Sequence, residues 1–190
     1  MKKDLSKLLT LSLFLLCIAA PASARQSAQA QKPSPPPAAG FRADFLRQLG
    51  DAEEKLIALA EATPADKFTW RPAQGVRSVS EVFMHVAGGN YFLSTFLGVK
   101  PPEGVGRDIE KITDKAKVVE TLRQSFAHAR RAAEGVSDAD LERQVKLFGN
   151  DSTFRGVLFL MATHAHEHLG QSIAYARMNG ITPPWSARRQ

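Results

Sequence analysis

Three histidines supply the side chains best suited to chemistry in this sequence. His164 and His168 are four residues apart, so on a helix their Cβ atoms lie about 5–6 Å from each other and both rings can reach one ion. His85 lies in a distant segment. Imidazole nitrogens are common metal ligands, and three protein ligands leave a coordination position open, as in catalytic sites. We therefore interpret His85, His164 and His168 as ligands of one divalent metal ion.

Each histidine alone also has a simpler interpretation. A single inward-facing histidine is commonly a core residue hydrogen-bonded to a neighbour, and two histidines four residues apart are weak evidence for a metal site. Three neutral imidazoles in one core, however, are costly unless something binds their lone pairs. This cost favours the metal site over three unrelated core residues.

The remaining candidates fit the site less well, and no catalytic residue is assigned. His166 is two residues from each member of the pair, about 200° around the helix, so we expect it to face away. We expect His128 on the outer side of its helix. Glu167 lies one position off the inward face, so it is either a partner or base for the site or a solvated glutamate.

Four helices are predicted to position the histidines, with little that looks like strand. Apolar residues recur at helical spacing in four segments, which cover about residues 41–62, 78–98, 114–134 and 153–179. A proline or glycine follows shortly after each segment and helps to end it. Four amphipathic helices in one domain predict an all-α fold, a four-helix bundle.

The histidines fall on the inward faces of two of these helices. The inward positions of the last helix step alternately by four and three residues, a heptad pattern: Val157, Met161, His164, His168, Gln171 and Tyr175. Those of the second helix are Val82, His85, Gly89, Phe92 and Phe96. All three histidines lie near mid-helix, so they can meet whichever way the helices run. Gly89 either leaves open volume above the metal or admits close packing of a neighbouring helix.

The N-terminal residues predict export. Three lysines precede an uncharged apolar run over residues 8–20, and small residues follow at Ala22-Ser23-Ala24. This order is typical of a signal peptide, and the run is shorter than the ~20 residues of a membrane-spanning helix. We predict a signal peptide over residues 1–24, cleaved after Ala24, and a periplasmic or secreted mature protein.

The remaining chain divides into a spacer, one domain and a tail. Residues 25–39 have almost no large apolar side chains and end in a proline cluster. Such a segment cannot bury enough surface to offset the entropy of ordering it, so we predict a disordered spacer. The folded domain is expected over residues 40–185, followed by a tail over 186–190.

Composition excludes several classes of function. Cleavage removes Cys17, the only cysteine, which excludes thiolate ligands, cysteine nucleophiles and disulfides from the mature chain. It also removes three lysines and one aspartate, so the net charge falls from +6 to +4. No dense basic stretch alternates with aromatic residues, so we expect no nucleic-acid partner. We expect no membrane insertion of the mature chain, allow for a small-molecule substrate, and leave a homodimer open.

Two stretches resemble the DinB/YfiT-like family of helical-bundle metalloenzymes. The first is FTWRP at residues 68–72 with RSVSE at 77–81 and His85, and the second is HxxxHLGQ at 164–171. The resemblance extends over about residues 41–182. The resemblance implies a bundle whose zinc or nickel ion is held by His85 and by the pair on the last helix. Characterised members include transferases and isomerases that use bacillithiol, mycothiol or glutathione; an export signal departs from the familiar cytoplasmic members and weakens the expectation of such a thiol cosubstrate.

Three functions remain compatible with the sequence. The first is a metal-dependent enzyme, a transferase or hydrolase, and the second is a non-catalytic metal- or ligand-binding bundle of the periplasm. The third is an interaction protein in which the histidines are vestigial. A general base beside the open coordination position favours the first, and an inner face closed by bulky apolar side chains favours the third.

Overall fold

Four long helices make up most of the part of the chain that the structure describes. A computed structural model describes residues 39–187; the predicted signal peptide and nearly all of the predicted spacer lie outside them, so those boundaries stay predictions. The elements are α1 (Phe41–Ala62), α2 (Val79–Phe96), α3 (Lys115–Glu134), β1 (Gln144–Leu147), β2 (Asn150–Thr153), α4 (Phe154–Met178) and the short α5 (Pro184–Ala187). Three 3₁₀ helices join them, at Ala65–Lys67, Arg107–Lys111 and Ala139–Glu142. Among residues 39–187, no helix combines the length and apolar character needed to cross a membrane.

Local capping sets where the long helices begin. Ser78 accepts a hydrogen bond from the backbone N–H of Glu81, whose side chain accepts one from the Ser78 N–H in return, which completes the predicted capping box at α2. Asp114 caps α3 and Thr153 caps α4 in the same way, each by accepting a backbone N–H three residues ahead. The four predicted helices therefore agree with the observed ones to within two residues at each end.

The helices pack as a closed bundle around one apolar core. α1 packs against α3 and α4, and α2 packs against the same two helices. The largest fully buried side chains come from all four helices and from the α1–α2 connection: Leu49, Leu56, Phe68, Phe83, Phe126, Leu158 and Met161. Burial of this apolar surface is the main favourable term in folding. The all-α four-helix-bundle prediction is confirmed.

A two-stranded hairpin between α3 and α4 was not predicted. β1 and β2 pair antiparallel, with Leu147 opposite Asn150 at the turn. The two loop residues are Phe148 and Gly149, with φ of 51° and 85°, as a two-residue hairpin turn with positive φ at both positions requires. Strands of four residues are too short for a clear alternation, and phenylalanine is not the Asn or Asp that usually marks such a turn. The sequence of residues 144–153 therefore gives little indication of a hairpin.

Candidate metal centre

The three predicted histidines meet between α2 and α4. The ring centroid of His85 lies 5.1 Å from that of His164 and 4.7 Å from that of His168. The centroids of His164 and His168 are 4.6 Å apart. One ring nitrogen of each residue lies within 4.8 Å of the corresponding nitrogens of the other two. The three side chains are thus close enough together to hold a metal ion.

A carboxylate orients the ring of His85. The Nδ1 of His85 lies 2.8 Å from Oε1 of Glu110, which belongs to the Arg107–Lys111 3₁₀ helix. Arg77 donates to the same carboxylate, with Nε 3.0 Å from Oε2. Burial raises the pKa of Glu110, but hydrogen bonds from Arg77 and His85 outweigh it, so the pKa lies below its ordinary value and the group is ionised. An ionised carboxylate only accepts, so Nδ1 of His85 donates to it, and the neutral ring then has its lone pair on Nε2.

An amide orients the ring of His168 in the same manner. The Nδ1 of His168 lies 2.8 Å from Oε1 of Gln171. The Nε2 of Gln171 donates to the hydroxyl of Tyr175 at 3.0 Å, which leaves its carbonyl oxygen facing the histidine. Nδ1 of His168 is therefore the donor, and Nε2 again keeps its lone pair. Such hydrogen bonds to the second ring nitrogen are usual for histidines that bind metals.

The ring of His164 lies directly against Gly89. A Cβ atom at Gly89 would be 2.5 Å from Cε1 and 2.9 Å from Nδ1 of His164, closer than atoms in contact can approach. Both roles predicted for Gly89 have support, because the missing side chain admits the histidine ring and Gly89 also lines the open cleft beside the cluster. Glycine costs about 0.5–1 kcal/mol of helix stability relative to alanine. At Gly89 the absence of a side chain leaves the space that the ring of His164 occupies.

Burial keeps two of the histidines neutral. It lowers the pKa of His164 to about 4, and the neighbouring charges of His168, His85 and Arg77 act in the same direction. Burial also lowers the pKa of His168, although the hydrogen bond with Gln171 opposes it. Neutral imidazoles offer the lone pair that a metal ion needs. The donor chemistry of the cluster therefore fits a divalent metal.

An open cleft of about 740 Å³ adjoins the cluster, and His85 and His164 line it together with Glu110. The inner face is thus not closed by bulky side chains. Phe92 also lines the cleft and is 49% exposed, so its predicted place on the inward face of α2 was wrong. From His85 onward this face of α2 turns toward the cleft. Most of the predicted inward face of α4 lies against the core, and His164 is the member of that face that lines the cleft.

The other candidate residues lie elsewhere. His166 turns away from the cluster, with Nε2 3.1 Å from the carbonyl oxygen of Gln48 on α1, and Glu167 is exposed. The prediction for His128 was wrong: it is buried, at 3% exposure, against Tyr91. Ser125 and Ala132, one turn to either side of His128, are buried too, so this side of α3 faces the interior of the protein.

Sequence reasoning missed Glu110. It lies in the connection between α2 and α3, where apolar periodicity gives no information about which way a side chain points. A carboxylate that supports a metal-binding histidine can come from any part of the fold. The amino-acid sequence therefore gives no basis for choosing Glu110 among the 19 acidic residues of the chain.

Comparison with known proteins agrees with the resemblance. The sequence profile of the DinB superfamily matches residues 48–172, which include all three histidines. The fold is similar to that of a DinB-like protein from Bacillus cereus (TM-score 0.66, 18% identity, covering 74% of this chain and 93% of that one). It is also similar to YjoA, a DinB-like protein from Bacillus subtilis (TM-score 0.59, 19% identity, covering 73% and 93%). No curated protein matches the chain. With the profile matching well over half of its length, the chain belongs to the DinB superfamily.

Proposed function

We propose that this protein binds one divalent metal ion through His85, His164 and His168 and uses it to act on a small molecule in the adjoining cleft. The observation that carries the proposal is the convergence of the three rings, with ligand nitrogens within 4.8 Å of one another. Two of the rings have their protons held on Nδ1 by Glu110 and Gln171, so their Nε2 lone pairs are free for a ligand. Superfamily membership fits a site of this kind.

Zinc or nickel is the proposed ion. All three donors are imidazole nitrogens, which suit zinc, nickel, copper and iron better than magnesium or calcium, which prefer oxygen. Three protein donors leave at least one coordination position open. The cleft lined by His85 and His164 is where a fourth ligand would enter.

A metal-dependent transferase or hydrolase is the reaction class that we propose. A metal in such a site lowers the pKa of a bound water or substrate thiol. The chain's own residues orient the ligands, as Glu110 does for His85, and shape a cleft whose volume falls within the usual ~300–1,000 Å³ of small-molecule sites. The signal-peptide pattern at residues 1–24 supports action in the periplasm or outside the cell, where intracellular thiols such as bacillithiol are not the expected cosubstrates.

A non-catalytic periplasmic metal- or ligand-binding protein is the second candidate. The acidic side chain that lines the cleft is Glu110, and Arg77 and His85 already engage its carboxylate. Among the described residues, the other candidate base, Glu167, is exposed to solvent. This lack of a free base beside the cluster favours binding without catalysis.

Elemental analysis of the purified mature protein tests the proposed metal site. We expect about one zinc or nickel ion per chain in the wild type and almost none in His85→Ala. His166→Ala is the matched control, because His166 is on the same helix as the pair but contacts α1. Retention of metal by His85→Ala together with its loss from His166→Ala would contradict the proposed site.

A further inference from the structure

Three phenylalanines form an exposed cluster beside the cleft. Phe92 and Phe96 come from α2 and Phe148 from the tip of the hairpin. The ring of Phe148 stacks on that of Phe92, with centroids 5.9 Å apart and an angle of 29° between the planes, and lies 6.2 Å from that of Phe96. In spite of these contacts, Phe92 remains 49% and Phe148 64% exposed. The cluster therefore leaves much of its aromatic surface open to a ligand.

The position of Phe148 is a costly one for the fold. Its φ of 51° lies in the left-handed region, where a bulky side chain is a genuine outlier. Asparagine or glycine would form the same turn with less strain. A residue held in such a conformation is a reason to look for a function, and burial in the core is not what retains this one.

The phenylalanines and the histidines share one cleft. Phe92, Phe148, His85 and His164 all line it. Most of the other lining side chains are apolar: Leu93, Pro101, Val105, Ile109 and Leu160. The cleft is therefore polar where the histidines and Glu110 lie and apolar and aromatic elsewhere.

The distance between the two parts sets a length for the ligand. Phe92 follows His85 by seven residues on α2, which is two helical turns and about 10 Å along the axis. A molecule that contacts both parts must therefore be about as long as a phenyl ring joined to a metal-binding group by three or four atoms. The cleft volume of about 740 Å³ is ample for such a molecule.

We propose that the cleft selects small molecules with a flat apolar group at one end and a metal-binding donor at the other. The apolar group packs on Phe92 and Phe148, and the donor reaches the ion held by the histidines. The proposal rests on the proposed metal site and adds the substrate class. Phe92 and Phe148 are then specificity-determining residues.

Two hydroxamates that share a metal-binding group test this proposal. Acetohydroxamate carries only a methyl group, whereas 4-phenylbutanohydroxamate adds a phenyl ring at the required distance. Calorimetric titration of the zinc-loaded protein should show the phenyl compound binding at least about 10-fold more tightly, since an aromatic contact of this kind contributes around 1 kcal/mol beyond the area it buries. Phe92→Ala and Phe148→Asn should each remove most of that preference while acetohydroxamate affinity stays unchanged.

Phe159→Ala is the matched control. Phe159 on α4 is 62% exposed, so its exposure is similar to that of Phe92 and Phe148. It is not among the residues that line the cleft. Its replacement should alter neither affinity. Asparagine tolerates positive φ, so Phe148→Asn should keep the hairpin.

The outcomes separate the two proposals. If zinc and acetohydroxamate bind but the phenyl compound has no advantage, the substrate class is wrong and the metal site stands. If the wild type binds no zinc, the metal site is wrong and this inference is overturned with it. Phe92→Ala and Phe148→Asn could instead change the oligomeric state in sedimentation and leave the hydroxamate preference intact. In that case a second copy of the chain packs on the three phenylalanines, and the inference is overturned.

Discussion

Histidines are buried in two parts of this bundle, and the two parts are organised differently. His128 lies on α3 against the ring of Tyr91 on α2, with ring centroids 5.1 Å apart. Burial lowers its pKa, and the charge of Arg131 adds to this effect, while a backbone hydrogen bond with Val99 opposes it. Among the described residues, Nε2 of His128 has no hydrogen-bond partner. His128 is therefore a buried histidine that, over residues 39–187, belongs to no group of metal-binding side chains.

The cluster of His85, His164 and His168 differs from His128 chiefly in arrangement, although His85 and His164 are also less buried than His128. Burial lowers the pKa of His164 and His168 just as it lowers that of His128. Only in the cluster do three rings converge, with acceptors on two of them and a cleft beside them. A lowered histidine pKa therefore does not by itself distinguish a candidate metal site from an ordinary buried histidine, whereas three converging ring nitrogens do.

Removal of one histidine from each part should give the largest contrast. His168→Ala should weaken zinc binding by about 100-fold or more, since loss of a residue that merely supports a ligand already costs about 10–100-fold. His128→Ala should leave zinc affinity within a factor of about three and lower the free energy of unfolding by about 1–3 kcal/mol. Competition titration with a zinc chelator and denaturant unfolding measure the two effects. Loss of zinc from His128→Ala would break the distinction.

Gly89→Ala should damage the cluster without unfolding the bundle. The new methyl group would meet the ring of His164, and the ring can turn aside, so we expect zinc affinity to fall about 10-fold or more. Gly170→Ala is the matched control. A Cβ at Gly170 would have no atom within 4 Å apart from its chain neighbours and the adjacent backbone of α4. This variant should raise the free energy of unfolding by about 0.5–1 kcal/mol with zinc affinity unchanged. Equal zinc affinities in the two variants would refute the packing role of Gly89.

Glu110→Gln should have a smaller effect on the cluster. The glutamine amide can still accept a hydrogen bond from Nδ1 of His85, but it lacks the negative charge that strengthens this bond and orients the ring. We therefore expect zinc affinity to fall by about 10-fold. Glu167→Gln, at an exposed position on α4, should change zinc affinity by less than about twofold. An unchanged affinity in Glu110→Gln would show that the carboxylate does not support the site.

Acid should affect the two parts alike, and this is the smallest effect. The pKa of His164 is lowered to about 4 from an unfolded value near ~6.5, so between these values the unfolded chain binds more protons than the folded one. Stability of the metal-free protein should therefore fall as the pH drops from about 6.5 to about 4. His164→Gln and His128→Gln should each make this decline shallower in denaturant unfolding at pH 4 to 7. A decline as steep as that of the wild type in both variants would contradict the lowered pKa values.

Much of the fold and part of the site could be predicted from the sequence. The start of α2 depends on Ser78 and Glu81, which are near each other in the chain and form the capping box without help from other elements. The pairing of His164 and His168 is equally local, because residues four apart on a helix always share a face. Features that depend on interactions within one or two helical turns can therefore be predicted from the sequence.

What the sequence alone determined was the set of helices and the histidine pair; the tertiary structure decided which residues complete the site. Glu110 reaches His85 only because the connection between α2 and α3 folds back beside the cluster, and Phe148 reaches Phe92 only because a short hairpin places it there. The burial of His128 likewise depends on how α3 packs against α2. These contacts join residues that are distant in the chain, so helical periodicity, which reports only a residue's position around its own axis, carries no information about them.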